Sequence, residues 1–469
     1  MKQKLKRFGR TQRRPQSIWG RLTLLVVVGA VASTVEAGND AVSPGATRYR
    51  GWKAYLLQND LVQVHVAPEI GGRVLQYRLG EKEFFWINER LAGKTSTETG
   101  LDPQGGWLNY GGDKLWPAPQ GWDNDEQWPG PPDAVLDGQP YRAEIDPDGK
   151  GIRLTSGDDP RSGIRFSRRL QLHSGSTRVS IEATMTNVCD KPRRWGIWSH
   201  TQFDAGLPDS DDYNRLMRAW CPINPQSRFD RGYLTIFGDQ GNPSFEVDAE
   251  RGLLKVSYRY LVGKIGLDSH AGWVATVDGR RGDVFVQRFR FEPESAYPDG
   301  SSVEFWHNGR GRIHAYGAWT DMPADRSTNP YIFESEILSP FARLRPGESY
   351  TWTYDWYACC IGGDFPVVDC CEVAVVSTPL VCRHEGDRVR LSGRFGVFYP
   401  GRLVLESCDK TNMLLATNVL NPGITPLEPV VVDSVITLPP TSRRVTLVVE
   451  DARGKKIGEI ARSELPILP

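Results

Sequence analysis

VSIEATMTNVCDKPRRWGIWSHTQFDAG, residues 179–206, is the stretch on which the reading of the chain turns. Val179, Ile181, Ala183 and Met185 alternate with Ser180, Glu182, Thr184 and Thr186, the period of a strand with one face buried. Residues 187–192, polar and closed by Pro192, form a turn. The apolar run 195–198 is a second strand, and it delivers Ser199, His200, Thr201 and Gln202 at its end. A histidine among hydroxyl and amide side chains suits acid–base work, because its charge changes near neutral pH. The plainer reading is a histidine that only hydrogen-bonds a neighbour.

Outward from this stretch the pattern stays β. In 61–66, Val62, Val64 and Val66 face a core while Gln63 and His65 face away, and Gly71-Gly72 supplies the next turn. Residues 92–140 show little periodicity but hold Trp107, Trp116, Trp122 and Trp128. So long a segment with so many indoles reads as a structured functional loop over the open face of a sandwich. At its centre Gly111-Gly112 lets backbone approach a ligand, and Asp113 and Lys114 follow; the plainer reading is an Asp113–Lys114 ion pair that pins the loop. Downstream, strands are expected at 164–172, 253–258, 272–277, 284–291 and 303–308, with a polar loop running to residue 242. Glu334 and Glu336, two apart on a late strand, point to one face.

From about residue 361 short alternating strands with turns between them predict a small Ig-like sandwich, 361–469, as a spacer or attachment module. The chain is therefore read as all-β: a large sandwich over 45–358 followed by the small one. No long helix, phosphate-cradling glycine loop, H-E-x-x-H or G-x-S-x-G occurs, and neither a metal site nor a cofactor is expected.

The first 37 residues read as a signal peptide: eight basic residues, then an apolar run at 22–32 too short to span a bilayer comfortably, then small residues for cleavage. Export to the periplasm or beyond is expected, with no integral membrane domain in the mature chain. Without that segment, which holds eight of 57 basic and one of 57 acidic residues, the chain carries 49 and 56, a net −7. That balance argues against nucleic acid as a partner. Eight cysteines behind a signal peptide suggest disulfides, at least two of them within 359–408, where six of the cysteines cluster. Oligomeric state is not read from the sequence.

The order strand, N-x-x-D-K-P, strand, H-x-x-F-x-x-G resembles the centre of the aldose 1-epimerase (galactose mutarotase) superfamily, matching at His200, Phe203 and Gly206, with Ser199 where that enzyme has Asn. Leu344, Pro346, Gly347, Glu348 and Tyr350 are similar to its closing L-x-P-G-E-x-Y motif. The block YGGDKLWPAPQ at 110–120 is not an epimerase feature and resembles an uncharacterised secreted bacterial branch with a domain of unknown function. The resemblance implies a mutarotase-like β-supersandwich and a carbohydrate ligand. It makes His200 the general acid and Glu334 or Glu336 the base. Asp113, Lys114, Gln202 and Lys264 would hold hydroxyls, with Trp107, Trp116 or Trp198 under the ring. Arg73 and His270 are the nearest stand-ins for the family's steering arginine and second histidine. An epimerase-type isomerase, a non-catalytic glycan-binding protein and a cell-envelope interaction protein remain as alternatives.

Overall fold

The alternation read at 164–172 and 179–187 becomes two neighbouring strands, Ile164–Leu172 and Val179–Asn187, each with every second residue buried. They pair in register from Val179↔Leu172 to Asn187↔Ile164. The computed structural model describes residues 42–465 except Thr97, Tyr316 and Gly317. The expected signal segment, 1–37, lies outside the described residues. Among those described, no helix is long and apolar enough to cross a membrane.

The protein is all-β. Two large antiparallel sheets carry residues 45–360, one of twelve strands and one of ten. In the larger sheet the central order is Arg73–Leu79, Asp113–Ala118, Arg193–Asp204, Ile332–Leu338, Val303–His307, Gly263–Leu267, Leu234–Gly238. Apolar side chains from the facing sides of the two sheets, among them Ile181, Met185, Phe203, Phe285, Phe333 and Trp356, form one continuous core. After the Ser349–Cys360 strand come two four-stranded sheets with their own core, including Leu391, Phe395, Leu405 and Leu447. They hold strands at Leu414–Ile424 and Lys456–Glu464 that the sequence did not announce. Tyr357 stacks on Phe398 at 4.4 Å where this part meets the larger sandwich.

Several expectations are corrected. Within 111–122, Asp113–Ala118 is not a loop but an interior strand of the larger sheet, buried throughout. Both its faces are covered, one by the inter-sheet core and the other by the site, so it shows no alternation. Pro117 is tolerated because only Asp113 pairs with the Arg73–Leu79 strand, leaving the flank of Pro117 without a ladder on that side. Gly111 and Gly112 approach backbone rather than a ligand. A Cβ on either would lie 2.1 Å from the Trp86 carbonyl oxygen or 2.3 Å from that of Val74, and both have positive φ.

The polar loop leading to residue 242 contains a strand, Leu234–Gly238. His65 lies on the face opposite Val64 but is not exposed there: it is buried and stacks on Tyr49 at 3.9 Å. All eight cysteines are free in this structure, so no bridge within 359–408 is shown. Neighbours on a strand point to opposite faces. Cys359 accordingly enters the apolar cluster at the junction, while Cys360 turns to the Arg281 carbonyl.

Candidate functional site

The Arg193–Asp204 strand continues past the point where the sequence ends it, so His200 lies inside the sheet rather than at a strand end. Its register fixes the site. His200 is opposite Lys114 on one side and Glu336 on the other, and Gln202 is opposite Glu334. Residues directly opposite share a face. Glu336 in turn faces Glu304, and Glu334 faces Trp306, on the next strand. Period-two geometry thus gathers His200, Gln202, Glu334, Glu336, Glu304, Lys114 and Lys264 on the face of the sheet turned away from the inter-sheet core.

The distances are short. His200 Nε2 is 3.0 Å from Glu334 Oε2 and 3.8 Å from Glu336 Oε1. Gln202 Nε2 donates to Glu334 Oε1 at 2.6 Å. Trp198 Nε1 donates to Glu336 Oε2 at 2.8 Å, and Lys264 Nζ reaches the same oxygen at 3.0 Å and Glu304 Oε2 at 2.8 Å. Five buried polar atoms here have no hydrogen-bond partner among the described residues: Lys114 Nζ, His200 Nδ1, Gln202 Oε1, Glu304 Oε1 and Glu336 Oε1. Buried polar groups are normally paired, so such a concentration marks a place built for something other than stability.

Burial sets the protonation states. It holds His200 well below its ordinary value, with the Lys114 ammonium adding to the effect, so the imidazole is neutral at neutral pH. It pushes Glu334 up, against Lys114 and Gln202, toward the neutral acid. It brings Lys114 down to about 7, with Arg73 helping. Lys264 is raised, because two carboxylates share its charge in spite of burial. Glu304 rises even though Lys264 is its partner: burial dominates, and one ammonium serves two carboxylates.

Above this floor lies a cleft of about 300 Å³, at the lower end of the range for small-molecule sites. Its walls are aromatic: Trp107, Trp116, Trp122, Trp198, Phe237 and Trp306. Asp137, in the turn Ala134–Gly138, accepts from the indole N–H of both Trp107 and Trp116 and is held by Arg73 at 2.7 Å. A two-stranded hairpin, Gly311–Ala315 with Ala318–Met322, contributes Ile313, Ala315 and Met322.

The expected site residues divide accordingly. His200, Glu334, Glu336, Gln202, Lys264, Trp107 and Trp116 line the cleft, and Lys114 lies beside His200 beneath the indoles, 4.6 Å from the Trp116 ring. Asp113 does not line it. As the strand neighbour of Lys114 it faces the opposite way, accepting from Arg168, from Thr201 at 2.6 Å and from Ser199 at 3.1 Å. Arg73 is fully buried, and its ion pair braces the indole wall instead of meeting a ligand. His270 stacks on Phe291 away from the cleft.

Glu304, Trp306, Phe237, Asn109 and Asp137 were missed. Alternation at 303–307 already set Glu304 and Trp306 on one face; what the sequence lacked was the strand opposite. His200, Glu334 and Glu336 offer one ligand atom each within 4.8 Å of one another, a donor set that a divalent cation accepts. Lys264 already brings positive charge to Glu336, which weakens such a site.

The fold and site define an all-β protein with an aromatic cleft over a buried histidine–carboxylate cluster. The chain belongs to the family described as domain of unknown function DUF4380, whose model matches residues 53–359. Among solved structures it is similar to a TPR-domain containing protein from Parabacteroides distasonis, at 13% identity over 67% of this chain and 48% of that one, with TM-score 0.41. This chain thus spans about half of that protein's length. It is also similar to a galactose mutarotase related enzyme from Lactobacillus acidophilus (12% identity, 65% of this chain and 97% of that one, TM-score 0.40). A galactose mutarotase-like protein from Clostridium acetobutylicum is a third (11%, 69% and 100%, 0.41). No curated protein matches.

Proposed function

We propose that the cleft binds a carbohydrate and exchanges the configuration of its anomeric carbon, with His200 and Glu334 as the proton-transfer pair. The observation that carries this reading is their 3.0 Å separation at the floor of an aromatic cleft. The ring oxygen and the anomeric hydroxyl sit on one carbon, so a donor and an acceptor serving both must stand side by side. The neutral acid of Glu334 gives its proton to the ring oxygen. The bond from that oxygen to the anomeric carbon breaks as the hydroxyl oxygen forms a carbonyl, and the hydroxyl proton passes to His200. After rotation of the aldehyde, the imidazolium and carboxylate return both protons as the ring closes. Burial, which disfavours charge on both groups, is the ground for reversing the roles that the family resemblance gives the two residues, with the carboxyl as acid. Glu336, held by Lys264 and Trp198, orients the cluster.

The test is the interconversion of glucose and galactose anomers, followed by polarimetry or exchange NMR. Turnover that vanishes in Glu334→Gln supports the reading; equal turnover in wild type and Glu334→Gln sinks it. The second reading, binding without chemistry, rests on the aromatic walls. It is favoured if sugars bind to wild type and no anomer exchange is seen.

The cellular setting belongs to the same proposal. Residues 1–37 act as an export signal, and 361–469 form a separate Ig-like module that presents the larger sandwich. Mass spectrometry of the mature N-terminus checks the first, with an intact Met1 against it.

A further inference from the structure

The concave face of the larger sheet carries more than the proton-transfer pair. Register places five side chains in one cross-strand row: Gln202, Glu334, Trp306, Lys264 and Phe237. With strands about 4.8 Å apart, Glu334 and Phe237 are separated by three spacings, about 14 Å, farther than a single sugar ring reaches. The row changes character along its length. At the Gln202 end it is polar and buried. At the Phe237 end it becomes an aromatic strip, in which Trp306 and Phe237 have ring centroids 6.1 Å apart and Phe237 and Trp122 6.2 Å apart.

These three rings come from three unconnected elements, and all three remain half-buried. Trp116 and Trp198, at the inner end of the cleft, are only 3% and 2% exposed. The inner indoles are therefore sealed into the site, while the outer strip offers open ring surface. Contiguous accessible aromatic surface inside a cleft marks a place where a ligand completes the packing. Hairpin register turns Ile313 and Met322 toward the same space and Arg312, His314 and Trp319 away from it. Lys264, the lysine along the row, is shared by two carboxylates and so has no charge to spare for an acidic sugar.

We propose that the ligand is the reducing end of a neutral oligosaccharide, with its terminal ring at His200 and Glu334 and the next ring packed into the corner between Trp306 and Phe237, whose planes stand at 82° to each other. This rests on the proton-exchange reading of the floor. Anomer exchange requires a free anomeric hydroxyl, so the ring at the floor has to be the reducing one, and the rest of the chain extends toward the aromatic strip.

The experiment measures anomer exchange by NMR for glucose, galactose, maltose, cellobiose and lactose, with wild type and Phe237→Ala. Binding of the same sugars, and of a library of free reducing oligosaccharides, is followed by native mass spectrometry. The expected result is a kcat/KM at least tenfold higher for one or more disaccharides than for its reducing-end monosaccharide, with that ratio falling toward one in Phe237→Ala. Monosaccharide turnover with no disaccharide preference overturns the inference and leaves the proposed chemistry standing. No turnover, but oligosaccharide binding that exceeds monosaccharide binding and is lost in Phe237→Ala, upholds the outer subsite and removes the chemistry. Failure of every sugar to bind overturns both. Should Phe237→Ala fail to fold, the wild-type ratio alone decides.

Discussion

The larger sheet carries a buried polar cluster on each of its two faces, made from alternate residues of the same strands. On the inner face Asp113 accepts from Arg168, Ser199 and Thr201, so both carboxylate oxygens are engaged. On the outer face, one residue along each strand, His200 and Lys114 sit among three glutamates, and Glu336 and Glu304 each keep an oxygen without a hydrogen-bond partner among the described residues. The inner carboxylate is fully used in joining two sheets. The outer ones leave capacity unspent, at a cost in stability that a structural role would not require. Burial alone does not separate the two clusters, because both are nine-tenths buried or more. Saturation of the carboxylate oxygens does, even though Arg168 on the inner face keeps Nε and Nη1 without a hydrogen-bond partner among the described residues.

The widest separation of the two faces should appear in turnover. His200→Ala and Glu334→Gln are each expected to reduce anomer exchange by roughly 10²–10⁴-fold, the usual scale of a general acid or base. Stability should change little, since neither side chain joins the two sheets. Steady-state kinetics alongside urea denaturation reads both quantities. A large loss of stability with turnover per folded molecule intact would mean that the outer cluster is structural after all.

Arg168→Met on the inner face should do the reverse. It leaves the Asp113 carboxylate buried without its cation, a change that typically costs about 3–5 kcal/mol, while turnover per folded molecule is kept. The double variant Asp113→Asn/Arg168→Met should recover part of the loss, because no uncompensated charge remains. A shift in urea midpoint that is the same for single and double variants would break this account.

How far the sequence reveals these two faces follows from the same alternation. The strands at 164–172 and 179–187 were legible because one side of each meets solvent, so polar and apolar residues take turns. The Asp113–Ala118 strand was not legible, because both sides are covered and one carries the site. Its charged residues looked like loop residues, and Asp113 and Lys114 looked equivalent although they face opposite ways. Family resemblance pointed to His200, Glu334 and Glu336, which the structure brings within 4.8 Å. It was less able to point to Glu304, Trp306 or Phe237. These enter the site only through strand order, and strand order depends on contacts between residues far apart in the chain.

A smaller difference should appear in the pH dependence of stability. Lys114 falls from 10.5 to about 7 in the folded protein, where burial and Arg73 oppose its charge and Asp137, Glu334 and Asp113 favour it. Between these values the unfolded chain binds more protons than the folded one. Lys114 therefore adds stability that is complete above 10.5 and lost as pH falls toward 7. Across that window its contribution changes by up to about 1.4 kcal/mol per pH unit. The raised carboxylates Glu304 and Glu334 act in the opposite sense, so the difference between wild type and Lys114→Met isolates the lysine. Lys114→Met should be the more stable at pH 7, with the gap closing toward pH 10. A constant gap across that range would show that the amine does not titrate there.

The finest test uses Ser199, one residue before His200 and on the opposite face. Family resemblance places an asparagine at this position and so casts doubt on the site that follows. The structure locates that departure elsewhere: the Ser199 hydroxyl donates to Asp113 at 3.1 Å, inside the sandwich, and does not line the cleft. Asp113 keeps Thr201 and Arg168 when this bond is removed, so no charge is left stranded. Ser199→Ala should then cost only one neutral donor to a carboxylate that is already served, about 1.5 kcal/mol in urea denaturation. The kcat, the KM and the pH profile of anomer exchange should not move, although His200 is the adjacent residue. If Ser199→Ala lowers kcat as His200→Ala does, the two faces communicate through the strand, and the division between a saturated structural carboxylate and unsaturated functional ones fails at its closest point.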